Sequence, residues 1–114
     1  MDMTLTEHHK TLVVKIIGEL DHHYATRIRE TIDIEIKDKD VRLLIFDLSA
    51  LEFMDSSGIG VIMGRLRLMK QQGGKVCVAG AKDSLNKIIC LSGLSGLIGI
   101  YHSVEEAMKG GQVA

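Results

Sequence analysis

Apolar residues along the chain switch between two spacings, near-continuous β-branched runs and stripes three or four residues apart. That switching predicts alternating strands and helices. Residues 12–17 form a β-branched run closed by Gly18, the mark of a buried strand. Residues 3–7 alternate more weakly and are expected to pair with that run as an antiparallel hairpin around His8, His9 and Lys10. Over residues 24–37, Ala25, Ile28, Ile32 and Ile36 draw one stripe of an amphipathic helix. Asp21 stands just ahead of it, placed to accept hydrogen bonds from its free N–H groups. Asp38, Lys39 and Asp40 make the turn into a strand over residues 41–48. There Leu43, Leu44, Ile45 and Phe46 are consecutive, so both faces should be covered, as in the middle of a parallel sheet.

Further on, Ile59, Ile62, Met63, Leu66 and Met69 define a second helix face, ended by Gly73 and Gly74. Residues 75–79 read as a short strand. Residues 83–91 read as a third helix, with Leu85, Ile88 and Ile89 inward and Ser92 and Gly93 as its stop. A last strand is expected over residues 97–101 and a short terminal helix over 104–109. The expected domain spans residues 3–110, with residues 111–114 a fraying tail. Strands alternating with helices imply an α/β fold with parallel pairing through right-handed crossovers. Sites in such folds gather in the loops after the carboxyl ends of strands. Two of these stand out: residues 18–23, Gly-Glu-Leu-Asp-His-His, and residues 53–58, Phe-Met-Asp-Ser-Ser-Gly. Both lead from a strand into a helix and should open on one edge.

Composition narrows the possibilities. A chain of 114 residues is one domain, and with 4% aromatic residues and no Trp its core must be aliphatic. The formal net charge of -1 leaves no basic footprint, so direct contact with nucleic acid is not expected. No apolar run approaches the roughly 18 residues of a membrane span. The N-terminus also lacks the basic-then-apolar order of a signal peptide, so no membrane contact is expected and the cytoplasm is the expected compartment. Cys77 and Cys90 sit in apolar stretches with no CxxC, and both are expected as buried free thiols.

The residues with most chemistry to offer are Asp55, Ser56, Ser57 and Gly58. As an N-cap, an Asp or Ser there would satisfy N–H groups of the following helix. Capping leaves Gly58, Gly60 and Gly64 unexplained, since each glycine costs a helix interior about 1 kcal/mol relative to Ala. Three so close together suggest bare backbone that the sheet beneath or an external partner approaches closely. A hydrolase elbow would need glycine two residues before Ser56, where Met54 stands, and His22 and His23 do not complete a triad by sequence. No catalytic residue is expected. The pairs His8-His9 and His22-His23 lack helical i, i+4 ligand spacing, and no phosphate-loop pattern occurs, so neither a metal nor another cofactor is expected.

Residues 18–23, residues 53–65 (Phe-Met-Asp-Ser-Ser-Gly-Ile-Gly-Val-Ile-Met-Gly-Arg) and residues 91–94 (Leu-Ser-Gly-Leu) together carry a resemblance. They resemble the anti-sigma antagonists of the STAS domain family (sulfate transporter and anti-sigma antagonist), in the branch acting on the sporulation sigma-F factor. The similarity runs from about Met3 to Met108 in the same order; an isolated Asp-Ser-Ser-Gly would mark only the wider family. The resemblance implies a mixed, mostly parallel sheet of four to five strands in a four-turn strand–helix superhelix, with helices mainly on one side. It also implies a non-enzymatic switch. The unphosphorylated protein binds a nucleotide-bound anti-sigma factor, itself a serine kinase, and frees the sigma factor. Phosphorylation of the first serine of the motif, here Ser56, inactivates it, and a serine phosphatase resets it. The implied docking face comprises Glu19, Asp21 and His22 with Asp55, Ser57, Gly58, Ile59 and Gly60. An antagonist of another anti-sigma factor, as in the general stress response, would use the same chemistry. A detached anion-transporter domain and a serine hydrolase are the remaining alternatives.

Charge makes such a switch workable. A phosphate at Ser56 adds about -1.5 to -2 charges to an edge carrying Glu19, Asp21 and Asp55. Two unit charges about 6 Å apart, at an effective dielectric near 20, interact by about 3 kcal/mol. About 1.4 kcal/mol already changes an affinity tenfold, so local repulsion can part a modest complex without refolding. Ser57 is expected to act as a local cap or backbone partner. Loss of the Glu19 or Asp21 carboxylate is expected to impair kinase binding while the melting point holds. A purely capping Asp21 would instead lower stability by about 1 kcal/mol when removed.

Overall fold

The computed structural model describes residues 1–111 and opens on a hairpin. β1 (Asp2–His8) pairs antiparallel with β2 (Thr11–Leu20) across a turn at His9 and Lys10. The two halves of β2 serve different neighbours. Its first residues pair in parallel with β3 (Leu43–Asp47), and its last, from Gly18 to Leu20, with β4 (Leu51–Met54). The register shifts between Gly18 and Glu19, where Gly18 takes a φ of 96° that glycine alone adopts freely. β5 (Lys75–Ala79) and β6 (Gly99–Tyr101) continue the parallel pairing beyond β3. The six-stranded sheet runs β1-β2-β3-β5-β6, with β4 paired to β2. Helix α1 (His22–Asp38) follows β2, α2 (Ser56–Gln71) follows β4, α3 (Asp83–Leu91) follows β5, and α4 (Val104–Gly111) comes last.

Alternation along the strands separates two cores. Leu12, Val14, Ile16, Leu44, Phe46 and Val78 face one way and meet Ile28 and Ile32 of α1, Ile62 and Leu66 of α2, and Leu85 and Ile89 of α3. Val13, Leu43, Ile45, Cys77 and Ala79 face the other way, under Ala107 of α4. The consecutive run at residues 43–46 is therefore buried on both faces, and the helices lie mainly on one side, as expected.

Several details differ from the sequence reading. β4 was not expected: only Leu51 and Met54 of its four residues are buried, which makes neither a run nor an alternation. The last strand begins at Gly99 rather than 97. A 3-10 turn at Leu94–Gly96 first ties the N–H groups of Leu97 and Ile98 to the carbonyl of Leu94. Ile88 is not inward: it is 37% exposed, because Leu85 and Ile89, one turn apart, already set the buried face of α3. On α2, Ile59 and Met63 are only half-buried, while Val61 and Arg65 are buried beside Ile62, Leu66 and Met69. That helix packs against α1 as well as the sheet, so its covered arc extends round to the α1 side. Cys77 is buried as expected, but Cys90 is exposed. α4 extends through Gly111, and the rest of the expected tail lies outside the described residues.

Candidate functional site at the β2–β4 edge

The two loops singled out by sequence meet because β2 and β4 end side by side. Leu20 is in register with Met54, and the N–H of Asp55 donates to the carbonyl of Leu20 at 3.3 Å. Each strand passes into its helix through a single aspartate in extended conformation. Asp21 caps α1, its Oδ1 accepting from the N–H of His23 at 3.0 Å. Asp55 caps α2 in the same way, accepting from the N–H of Ser57 at 2.8 Å. Of the two roles expected for Ser57, local cap or backbone partner, the structure has the second: its N–H is the group that Asp55 caps. Ser56 is thereby the first residue of α2, exposed, at the helix end where N–H groups favour negative charge.

Glu19 is exposed, opposite Phe53 in the β2–β4 register, and Phe53 itself is 51% exposed. His22 opens α1, its ring centroid 4.3 Å from that of His23. The three early glycines of α2 divide by surroundings. A Cβ on Gly58 would overlap Met54 Cγ and stand 3.0 Å from Leu20 Cγ, so Gly58 lets the helix lie on the sheet. A Cβ on Gly60 or Gly64 would meet nothing within 4 Å, so these two leave backbone open. Ile59, between Gly58 and Gly60, is half-buried.

A cleft of about 390 Å³ opens between α1 and α2, lined by His22, Thr26 and Arg29 on one side and Ser57, Gly60 and Val61 on the other. Thr26 and Arg29 were missed by the sequence reading. Their signal was helical spacing, since residues 22, 26 and 29 share one face of α1. Deeper along the same seam, Arg65 of α2, 6% exposed, lies 2.9 Å from Asp33 of α1 through Nε and Oδ1. The alignment is poor for a hydrogen bond, and Arg65 Nη1 is buried with no partner among the described residues. Burial pulls the Arg65 pKa down, Asp33 opposes that, and the nearby positive charge of Arg29 adds to it. Among the described residues, no group of three or more His, Cys, Asp or Glu comes together, and no helix is long and apolar enough to cross a membrane.

Comparison with known proteins gives this edge a context. The family model described as the STAS domain matches residues 2–107. The chain is 37% identical over 103 residues to the anti-sigma F factor antagonist of Paenibacillus polymyxa, covering 90% of this chain and 88% of the relative. It is 30% identical over 95 residues to the anti-sigma-B factor antagonist of Listeria monocytogenes, covering 83% and 82%. Among solved structures, the anti-sigma factor antagonist SpoIIAA in its unphosphorylated form superposes with a TM-score of 0.85 at 32% identity, over 99% of this chain and 100% of that one. The same Bacillus cell-fate determinant in its phosphorylated form gives 0.78 at 31% identity, over 97% and 100%. With the fold and this span of similarity together, the chain belongs to the STAS domain family, among its anti-sigma factor antagonists.

Proposed function

We propose that the chain works as a partner switch in the cytoplasm. In its unphosphorylated form it docks on a nucleotide-bound anti-sigma factor and releases the sigma factor held there. The anti-sigma factor is a serine kinase that transfers the γ-phosphoryl group of ATP to Ser56 Oγ, releasing ADP, and the phosphorylated chain lets go. A serine phosphatase restores it. The chain itself performs no catalysis, carries no cofactor and touches no nucleic acid. The observation that carries this reading is the exposed Ser56 at the first turn of α2, on the edge that β2 and β4 form together with Glu19 and Asp21. A phosphate there meets favourable helix N–H groups within the chain but adds negative charge to an acidic contact edge. SpoIIAA, solved in both unphosphorylated and phosphorylated forms, supports a role for phosphate in this fold.

Sigma-F of sporulation is the favoured target over a general-stress sigma factor, because identity is 37% to the anti-sigma F antagonist and 30% to the anti-sigma-B antagonist. A serine hydrolase is disfavoured by Met54, which stands two residues before Ser56 where a hydrolase elbow needs glycine. The test is displacement. Unphosphorylated protein added to a purified complex of sigma-F with its anti-sigma kinase should release sigma-F, and the Ser56-phosphorylated form should not. Equal release by both forms would refute the switch.

A further inference from the structure

The cleft between α1 and α2 carries the positive charge of Arg29. Among the described residues Arg29 makes no ion pair and no side-chain hydrogen bond, although it lines the cleft and is exposed. Arg65, close by, has Asp33 as its ion-pair partner at 2.9 Å. Two guanidinium groups thus stand against one carboxylate along this seam. The carboxylates at the cleft's outer end, Asp21 and Asp55, direct Oδ1 to the N–H groups of His23 and Ser57, and among the described residues neither forms an ion pair with Arg29 or Arg65. The remaining lining suits a small oxyanion. Thr26 and Ser57 offer hydroxyl donors, His22 an imidazole, and Gly60 an α2 wall without a side chain.

We infer that this cleft receives an acidic side chain of the anti-sigma kinase, an Asp or Glu carboxylate held by Arg29. The guanidinium fork matches a carboxylate in two parallel hydrogen bonds, a stronger contact than a neutral donor makes. One surplus positive charge calls for a monoanion. The rim acids Glu19, Asp21 and Asp55 repel any anion, but a phosphate dianion more strongly than a carboxylate, because the repulsion scales with charge. The kinase surface that fits has two signs: a cation facing the Glu19–Asp21 rim and, beside it, a carboxylate entering the cleft. This inference rests on the docking reading above and adds a specificity-determining residue to it.

The test is titration of unphosphorylated protein against the anti-sigma kinase, with thermal melting of each variant alongside. Arg29→Gln is expected to weaken binding about tenfold or more, and Arg29→Glu further, with melting unchanged. Arg29→Lys should fall between Arg29→Gln and wild type, having charge without the fork. Thr26→Val should weaken binding more modestly, and Arg67→Gln, on the exposed part of α2, should bind within about twofold of wild type. Changing one kinase Asp or Glu to Arg should restore binding of Arg29→Glu. Wild-type affinity in Arg29→Gln and Arg29→Glu would overturn the inference and leave the docking reading standing. A loss that no acid-to-arginine change on the kinase restores would overturn the carboxylate assignment. Failure of the wild-type chain to bind the kinase would remove the docking reading and this inference with it.

Discussion

Asp21 and Asp55 do the same backbone work at the start of α1 and α2, and both stand on the edge that carries Ser56. Capping and docking can be separated at Asp21 by choice of substitution. Asp21→Ala loses the acceptor for the His23 N–H and is expected to cost about 1 kcal/mol, seen as a melting point lowered by several degrees. Asp21→Asn keeps an acceptor and removes only the charge, so its melting point should hold while kinase affinity falls. Glu19→Ala, at an exposed position, should behave like Asp21→Asn. Unchanged affinity in both would confine docking to α2. The cysteines make a second contrast. Burial pushes the Cys77 thiol up to about 12, so almost none of it is thiolate near neutral pH, whereas Cys90 is exposed. Native protein is therefore expected to take up one alkylating label, at Cys90, with Cys77 reacting only after unfolding. Rapid labelling of both would place Cys77 outside the core.

Helix α2 packs on the sheet and, in the proposed switch, also meets the partner, and its glycines let the two roles be tested apart. Gly58→Ala forces a Cβ against Met54 and Leu20, both buried, and is expected to destabilise by about 1–3 kcal/mol, the usual range for overpacking. Gly60→Ala meets nothing within 4 Å and should gain up to about 1 kcal/mol from helix propensity. If Gly60 is kept bare for a partner, the Gly60→Ala protein will melt higher and bind the kinase more weakly. Higher melting with full affinity would make its absence of a side chain incidental. The capped helices, the hairpin and the doubly covered β3 were legible because each rests on a local pattern: a polar cap, a β-branched run, a consecutive apolar stretch. β4 was not, since its position comes from the far half of β2 and not from its own four residues. Arg65 was illegible for a related reason. Its burial follows from α2 lying against α1 at Asp33, a partner over thirty residues away that no spacing rule connects. That the Ser56 loop and the loop after β2 open on one edge was legible from the order of strands and helices, while the neighbouring cleft needed the packing of two helices.

Across the whole molecule, the edge that holds Ser56 is built from strand ends and helix starts, while the aliphatic core lies behind it on both faces of the sheet. A phosphate at an exposed helix N-terminus disturbs none of that packing and is favoured by the local N–H groups. Phosphorylated protein is therefore expected to keep its fold, with amide shifts confined to residues near Ser56 and the adjoining start of α1. Shifts spreading through β3, buried on both faces, would reveal a rearrangement of the core in place of a surface switch. The proposed switch reduces to one hydroxyl. Incubating the chain with its anti-sigma kinase and ATP, then mapping phosphate by peptide mass, should show a single phosphate on Ser56 and none in Ser56→Ala. Phosphate on Ser57 with Ser56 untouched would overturn the assignment of Ser56 as the switch.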